Sequence, residues 1–239
     1  MSGAEDILFE ARGALGLITL NRPQALNALT LDMIHRMSDR LEAWSGDTDI
    51  STVLIRGAGE KAFCAGGDIR ALYRQDAESE AFARRFFCDE YRLNRMIFRY
   101  PKPYVALIDG IAMGGGVGVS VHGSHRVVCD TSLFAMPETG IGMFPDVGGS
   151  WFLPRCPGEI GMFLGLVGKG LKAADCLHAG IAEANVPMAR HEDLIAALAS
   201  GQTPDAALAS LHTDPGPAPI AEHRAVIDRC FGVGSVAEI

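Results

Sequence analysis

The chain has 239 residues, 48% of them hydrophobic and 21% charged, which suffices for one large core or a core with a small appendage and excludes disorder. A formal net charge of -8 argues against a nucleic-acid surface, while a local basic pocket for a small phosphate-bearing ligand stays open. No apolar run approaches membrane-spanning length, and the acidic start "MSGAEDILFE" is unlike a signal peptide. The expectation is therefore a cytoplasmic protein without membrane partners, although a eukaryotic targeting segment is removable.

"ALGLITL" (14–20) reads as a strand, followed by a loop with Asn21, Pro23 and Asn27. In 31–44 the residues Ile34, Met37, Leu41 and Trp44 recur at helical spacing, with Thr30 as the N-cap. "TVLIRG" (52–57) is a second strand. A long half-exposed helix over 78–99 carries Phe82, Phe86, Leu93 and Ile97 and is closed by Pro101 and Pro103. "YVALIDG" (104–110) is a buried strand running into Gly114–Gly116, with a helix expected from Val117 to His122 and a short strand at 126–130. After Gly148 the pattern turns helical: 150–153, 159–167, 173–178, 192–198 and 221–230. The stretch "HTDPGPAPIAEH" (212–223) reads as a linker.

Spacing disposes of several signatures. "GLVGKG" (165–170) lacks the Ser or Thr that follows a P-loop lysine. Ser120 sits in "GVSVH", where His122 occupies the place of the second small residue of a nucleophile elbow. His122 and His125 lack the glutamate of a zincin motif and read as ordinary polar residues near a helix end. The six cysteines, at 64, 88, 129, 156, 176 and 230, form no C-x-x-C pair, so reduced thiols and no metal are expected.

What is unusual is "FAMPETGIGMFPD" (134–146), where Glu138 and Asp146 stand among apolar residues with no local basic partner. Gly66-Gly67 and Gly114–Gly116 each follow a strand, and backbone amides from two such loops can form an oxyanion hole; tight turns are the alternative.

"KAFCAGGDIRAL" (61–72), "KPYVALIDGIAMGGGVGVSVHG" (102–123) and "FAMPETGIGMFPDVGGSWFLPR" (134–155) together resemble the crotonase, or enoyl-CoA hydratase/isomerase, superfamily, in order over roughly residues 14 to 190. The resemblance implies an α/β fold: a spiral of repeated ββα units over 1–190 and a helical C-terminal region over 191–239, shorter than in its relatives. It also implies an acyl-CoA thioester substrate, with coenzyme A as part of that substrate and no separate cofactor, and a homo-oligomer, trimer or hexamer. By the same resemblance Gly67 and Gly115 are the oxyanion-hole donors, and Asp68, Ile69 and Arg70 lie along the coenzyme A side. Hydratases of the superfamily pair the Glu138 position with a second glutamate, whose place here is Gly118. The pattern is more similar to the 3-hydroxyisobutyryl-CoA hydrolase branch, in which Glu138 and Asp146 are catalytic and Glu90 lines the substrate site; alone, Glu90 reads as a solvated helix charge. Two alternatives stand beside this: a hydratase or isomerase using Glu138 and Asp146, and a fragment that binds coenzyme A thioesters without turnover.

Overall fold

The computed structural model describes residues 5–68 and 77–239, with the side-chain surroundings of all but 77–79. Ile69 and Arg70 lie outside the described residues. The acidic start contains a strand: β1 (Ile7–Arg12) pairs antiparallel with β2 (Leu15–Leu20) through a two-residue turn in which Gly13 takes φ 54°. Thr30 caps α1 (Leu31–Gly46) as expected, its Oγ1 accepting from the Met33 N–H at 3.2 Å. The stripe Met33, Ile34, Met37, Leu41 and Trp44 is buried.

From there a repeated unit builds the fold. β3 (Thr52–Gly57) and β4 (Ala62–Cys64) lead to α2 (Ala77–Phe98); β5 (Tyr104–Ile108) and β6 (Ile111–Met113) lead to α3 (Gly115–Gly118); β7 (His125–Val128) and β8 (Leu133–Ala135) lead to a 3-10 turn at Glu138–Ile141 and α4 (Gly149–Phe152). The first strand of each unit joins a six-stranded sheet, β1-β2-β3-β5-β7-β9, with β9 at Ala184–Asn185. The second joins a three-stranded sheet, β4-β6-β8. Every pair except β1·β2 is parallel. This is the spiral of ββα units that the resemblance implies.

Parallel sheets need cover on both faces, and the strand alternation supplies it. Ile18, Ile55 and Ala106 point into the main core with α1 and α2. Leu17, Leu54 and Val105 point the other way, onto α7 (His191–Ala199) and α8 (Pro204–Leu211) through Leu194, Leu198 and Leu208. α5 (Ile160–Val167) and α6 (Ala173–His178) pack on the main core, followed late in the chain by α9 (Pro219–Glu222) and α10 (Arg224–Phe231).

Two expectations are corrected. The helix expected over 117–122 is only the single turn α3, because Ser120 Oγ donates back to the Gly116 carbonyl at 2.8 Å and the chain passes into turns. The expected linker at 212–223 is fastened at both ends: the Thr213 N–H donates to the Asn185 carbonyl and the Ile220 N–H to Asp175 Oδ1, both at 2.9 Å. Pro219 there opens α9, where its fixed φ suits a first helical residue.

Candidate active site

Because β4, β6 and β8 are parallel neighbours, their carboxyl ends lie side by side, and the residues just beyond them meet: Gly66-Gly67, Gly114-Gly115 and Pro137-Glu138. Open parallel sheets hold ligands at such ends. A cavity of about 720 Å³ lies here, with Phe86, Phe87, Ile141 and Met143 as apolar wall and Asp68, Glu90, Glu138 and Asp146 as its acids.

The glycines are required by close approach. Leu29 bridges the strand end at Gly67: its N–H donates to the Gly66 carbonyl and its carbonyl accepts from the Asp68 N–H, both at 2.8 Å. A parallel bridge of this kind turns the Gly67 N–H the other way. Gly115 is the first residue of α3, where an N–H has no intrahelical acceptor. Neither amide finds a backbone acceptor among the described residues. A Cβ built on Gly115 would lie 3.3 Å from the Gly67 nitrogen and would collide with Glu90 Oε1; one on Gly114 would lie 3.9 Å from Glu138 Oε1. Two free amides and two carboxyls thus surround one small space.

The carboxyls are buried to a degree that unpaired carboxylates rarely reach, Glu90 being 2% exposed, Glu138 5% and Asp146 8%. Both oxygens of Glu138 and Oε1 of Glu90 have no hydrogen-bond partner among the described residues. Burial pushes Glu90 up to about 8, with the Asp146 charge adding to it. Burial likewise pushes Glu138 up to about 7; its own backbone amide opposes the shift and Asp146 adds to it. Asp146 is raised by burial too, but the Tyr91 hydroxyl, donating to its Oδ2 at 2.8 Å, and the amides of Asp146 and Val147 hold it back. Near neutral pH the site therefore holds a protonated Glu90 beside a Glu138 poised between its two forms.

Glu90 is not a solvated helix charge. Phe86, Glu90, Leu93, Asn94 and Ile97 share the buried face of α2, and Glu90 lies one turn after Phe86 on the apolar stripe. Sequence reasoning missed Tyr91 and Asn94, although Asn94 falls on the same stripe. Both polar atoms of Asn94 lack partners among the described residues. A Cβ on Gly118 would lie 2.8 Å from Asn94 Oδ1, 2.9 Å from its Nδ2 and 3.0 Å from Val147 Cβ, so Asn94 already fills the space beside Gly118. Arg22 was also missed. It pairs with Asp68 at 3.1 Å and donates to the Ala28 carbonyl at 2.7 Å, so the Asp68 carboxylate at the cavity wall is already engaged.

Ser120 is fully buried and bonded to backbone, outside the cavity. His122 bonds the Val147 carbonyl, and His125 bonds Ser124 and Asp205. All six cysteines are free, Cys88 and Cys230 being exposed. Among the described residues no helix is long and apolar enough to cross a membrane.

Spiral, glycine amides and buried acids define a class, and the sequence agrees: the family described as enoyl-CoA hydratase/isomerase matches residues 15–239, and the chain belongs to it. It is 49% identical over 244 residues to the mitochondrial 3-hydroxyisobutyryl-CoA hydrolase of Danio rerio, covering 98% of this chain and 64% of that protein. The chain thus spans less than two thirds of that relative's length. Among solved structures, a carnitinyl-CoA dehydratase from Mycobacterium thermoresistibile superposes with a TM-score of 0.93 at 48% identity, over 98% of this chain and 69% of that one. An enoyl-CoA hydratase from Rhodobacter sphaeroides superposes with a TM-score of 0.91 at 43% identity, over 98% and 68%. The cytoplasmic location expected from the acidic start is overturned, because the hydrolase relatives are named as mitochondrial.

Proposed function

We propose that this site hydrolyses the thioester of 3-hydroxyisobutyryl-CoA, releasing 3-hydroxyisobutyrate and coenzyme A, a reaction of valine breakdown. The observation that carries the reading is a buried, unpartnered Glu138 whose Oε1 lies near Gly114 in the cavity that Gly67 and Gly115 also line, with Asn94 beside Gly118. The two amides would hold the thioester oxygen as it becomes an oxyanion; each such donor contributes about 2.7–4 kcal/mol to the transition state. Glu138 either attacks the carbonyl carbon or removes a proton from water that does so. In the first route the C–S bond breaks, coenzyme A leaves as the thiolate and takes up a proton, and water cleaves the mixed anhydride to regenerate Glu138. In the second, water supplies the new oxygen directly.

Protonated Glu90 is suited to the substrate hydroxyl, since it donates as well as accepts. Asp146, held by Tyr91, orients that hydroxyl or the water. Asp68, Ile69 and Arg70 would flank the coenzyme A portion, and no cofactor beyond the substrate is called for. Assembly into trimers or hexamers belongs to the same reading; it is supported by exposed Ile141, Phe144 and Trp151 and tested by light scattering.

The test is thiol release from 3-hydroxyisobutyryl-CoA and crotonyl-CoA, with loss of the enoyl chromophore followed in parallel. Release from the hydroxyacyl thioester supports hydrolysis. Rapid loss of the chromophore without release would instead make the chain a hydratase, the activity for which one structural neighbour is named. Thioester binding with neither reaction would leave a binding fragment.

A further inference from the structure

His122 lies behind the cavity rather than in its wall. Its Nε2 is 2.7 Å from the Val147 carbonyl oxygen, and since a carbonyl only accepts, Nε2 carries the hydrogen. The ring stands edge-on to Phe98 and Phe152, at centroid distances of 6.3 and 6.4 Å. It also presses on Gly148, where a Cβ would come within 2.6 Å of the ring. Burial lowers its pKa, and Arg126 lowers it further against the opposing Val147 carbonyl, so the ring is a neutral donor at neutral pH.

What this donor holds is a strained turn. Val147 has φ 40° and Gly148 φ 83°, two left-handed residues in succession. A β-branched residue persists there only when its surroundings fix it. Here the Val147 side chain is packed in the core, the Gly149 N–H donates to the Asp146 carbonyl at 2.6 Å, and His122 ties the Val147 carbonyl. The residue immediately before the strained position is Asp146, whose carboxyl lines the cavity and accepts from the Tyr91 hydroxyl at 2.8 Å.

We propose that His122 is a positioning residue: by holding the Val147 carbonyl it maintains the turn that presents Asp146 to Tyr91 and to the substrate. This rests on the role given to Asp146 above. The groups facing Asp146 are Glu90 and Tyr91 from α2 and Glu138 from the turn after β8; those around His122 are Arg126, Lys102 and Arg155, across a separate cavity of about 320 Å³.

The test compares His122→Gln, whose amide N–H reaches the place of Nε2, with His122→Phe, which keeps the packing and loses the donor. Asparagine, a carbon too short, replaces phenylalanine should that variant not fold. The Phe variant should lose about 10- to 100-fold in kcat with KM unchanged. It should also raise the Asp146 titration midpoint, read by carbon-13 NMR of the free protein, as the Tyr91 bond weakens. The Gln variant should restore both. A Phe variant with unchanged kcat and Asp146 titration, or a Gln variant as damaged as Phe, overturns the proposal. The NMR titration needs no substrate, so it still decides the role of His122 if the wild type releases no thiol and the functional reading itself fails.

Discussion

Replacing Glu90 by glutamine should make the protein more stable, and increasingly so as pH rises. Glu90 keeps its proton in the folded state up to about 8, whereas an unhindered glutamate loses it at 4.5. Below 4.5 the residue is neutral in both states and contributes nothing. Above it, the unfolded chain sheds a proton that the folded chain retains, and stability falls by about 1.4 kcal/mol per pH unit until the folded group also ionises. From 4.5 to neutral pH this amounts to at most about 3 kcal/mol, or about 6 to 12 °C in melting temperature for a domain of this size. Glutamine never ionises, and all other groups titrate in both proteins, so the difference between the two melting curves isolates Glu90. Thermal melts of wild type and Glu90→Gln from about pH 5 to 8 should diverge steadily. Parallel curves would mean that Glu90 is solvated and that the buried three-acid site is wrongly drawn.

Glu138→Gln should bind a non-hydrolysable thioether analogue as wild type does, by calorimetry, while kcat falls more than about 100-fold; retained turnover would remove Glu138 from the mechanism. In the wild type kcat should rise with pH through about 7 as Glu138 ionises, and a limb near 4.5 would contradict its burial. Tyr91→Phe removes the donor to Asp146, so the Asp146 midpoint should climb and kcat fall with little change in KM; unchanged values would leave the bond without a role. Gly118→Glu alone should fail to hydrate crotonyl-CoA and should lose about 1–3 kcal/mol in denaturant titrations through overpacking on Asn94 and Val147. Rapid hydration by this single variant would show that Asn94 yields its place.

β1, in the acidic start, and the two-residue β9 escaped notice, but the other four strands of the large sheet and the long helices were legible: Ile34, Met37, Leu41 and Trp44 repeat at helical spacing, and "YVALI" is a continuous apolar run. The three strands of the small sheet were not. β4, β6 and β8 are three residues each, too short for an alternation to register, and glycines follow closely on β4 and β6. Glu138 and Asp146 stood out as acids in an apolar stretch, whereas Glu90 was hidden among the charges of α2, although its spacing from Phe86 placed it on the buried face. Tyr91 and Arg22 act through carboxylates 55 and 46 positions away, and Asn94 acts through the shape of the space beside Gly118. No local pattern reports on contacts of that kind.

Each ββα unit sends one strand to a sheet that holds the molecule together and another to a sheet whose ends hold the acids and amides. The two layers nevertheless share one core, since Phe63, Ala112 and Phe134 pack in the same cluster as Ile18 and Ile55. A conservative change at Ile55 or Val105 falls in the frame, whereas Gly67, Gly115 and Glu138 stand beyond the strand ends of the other layer. A change just past β4, β6 or β8 falls instead on residues that line the cavity, outside the six-stranded sheet. A lineage with this plan can exchange one reaction for another by editing a few loop residues, as befits a scaffold whose close structural matches are named as a dehydratase and a hydratase.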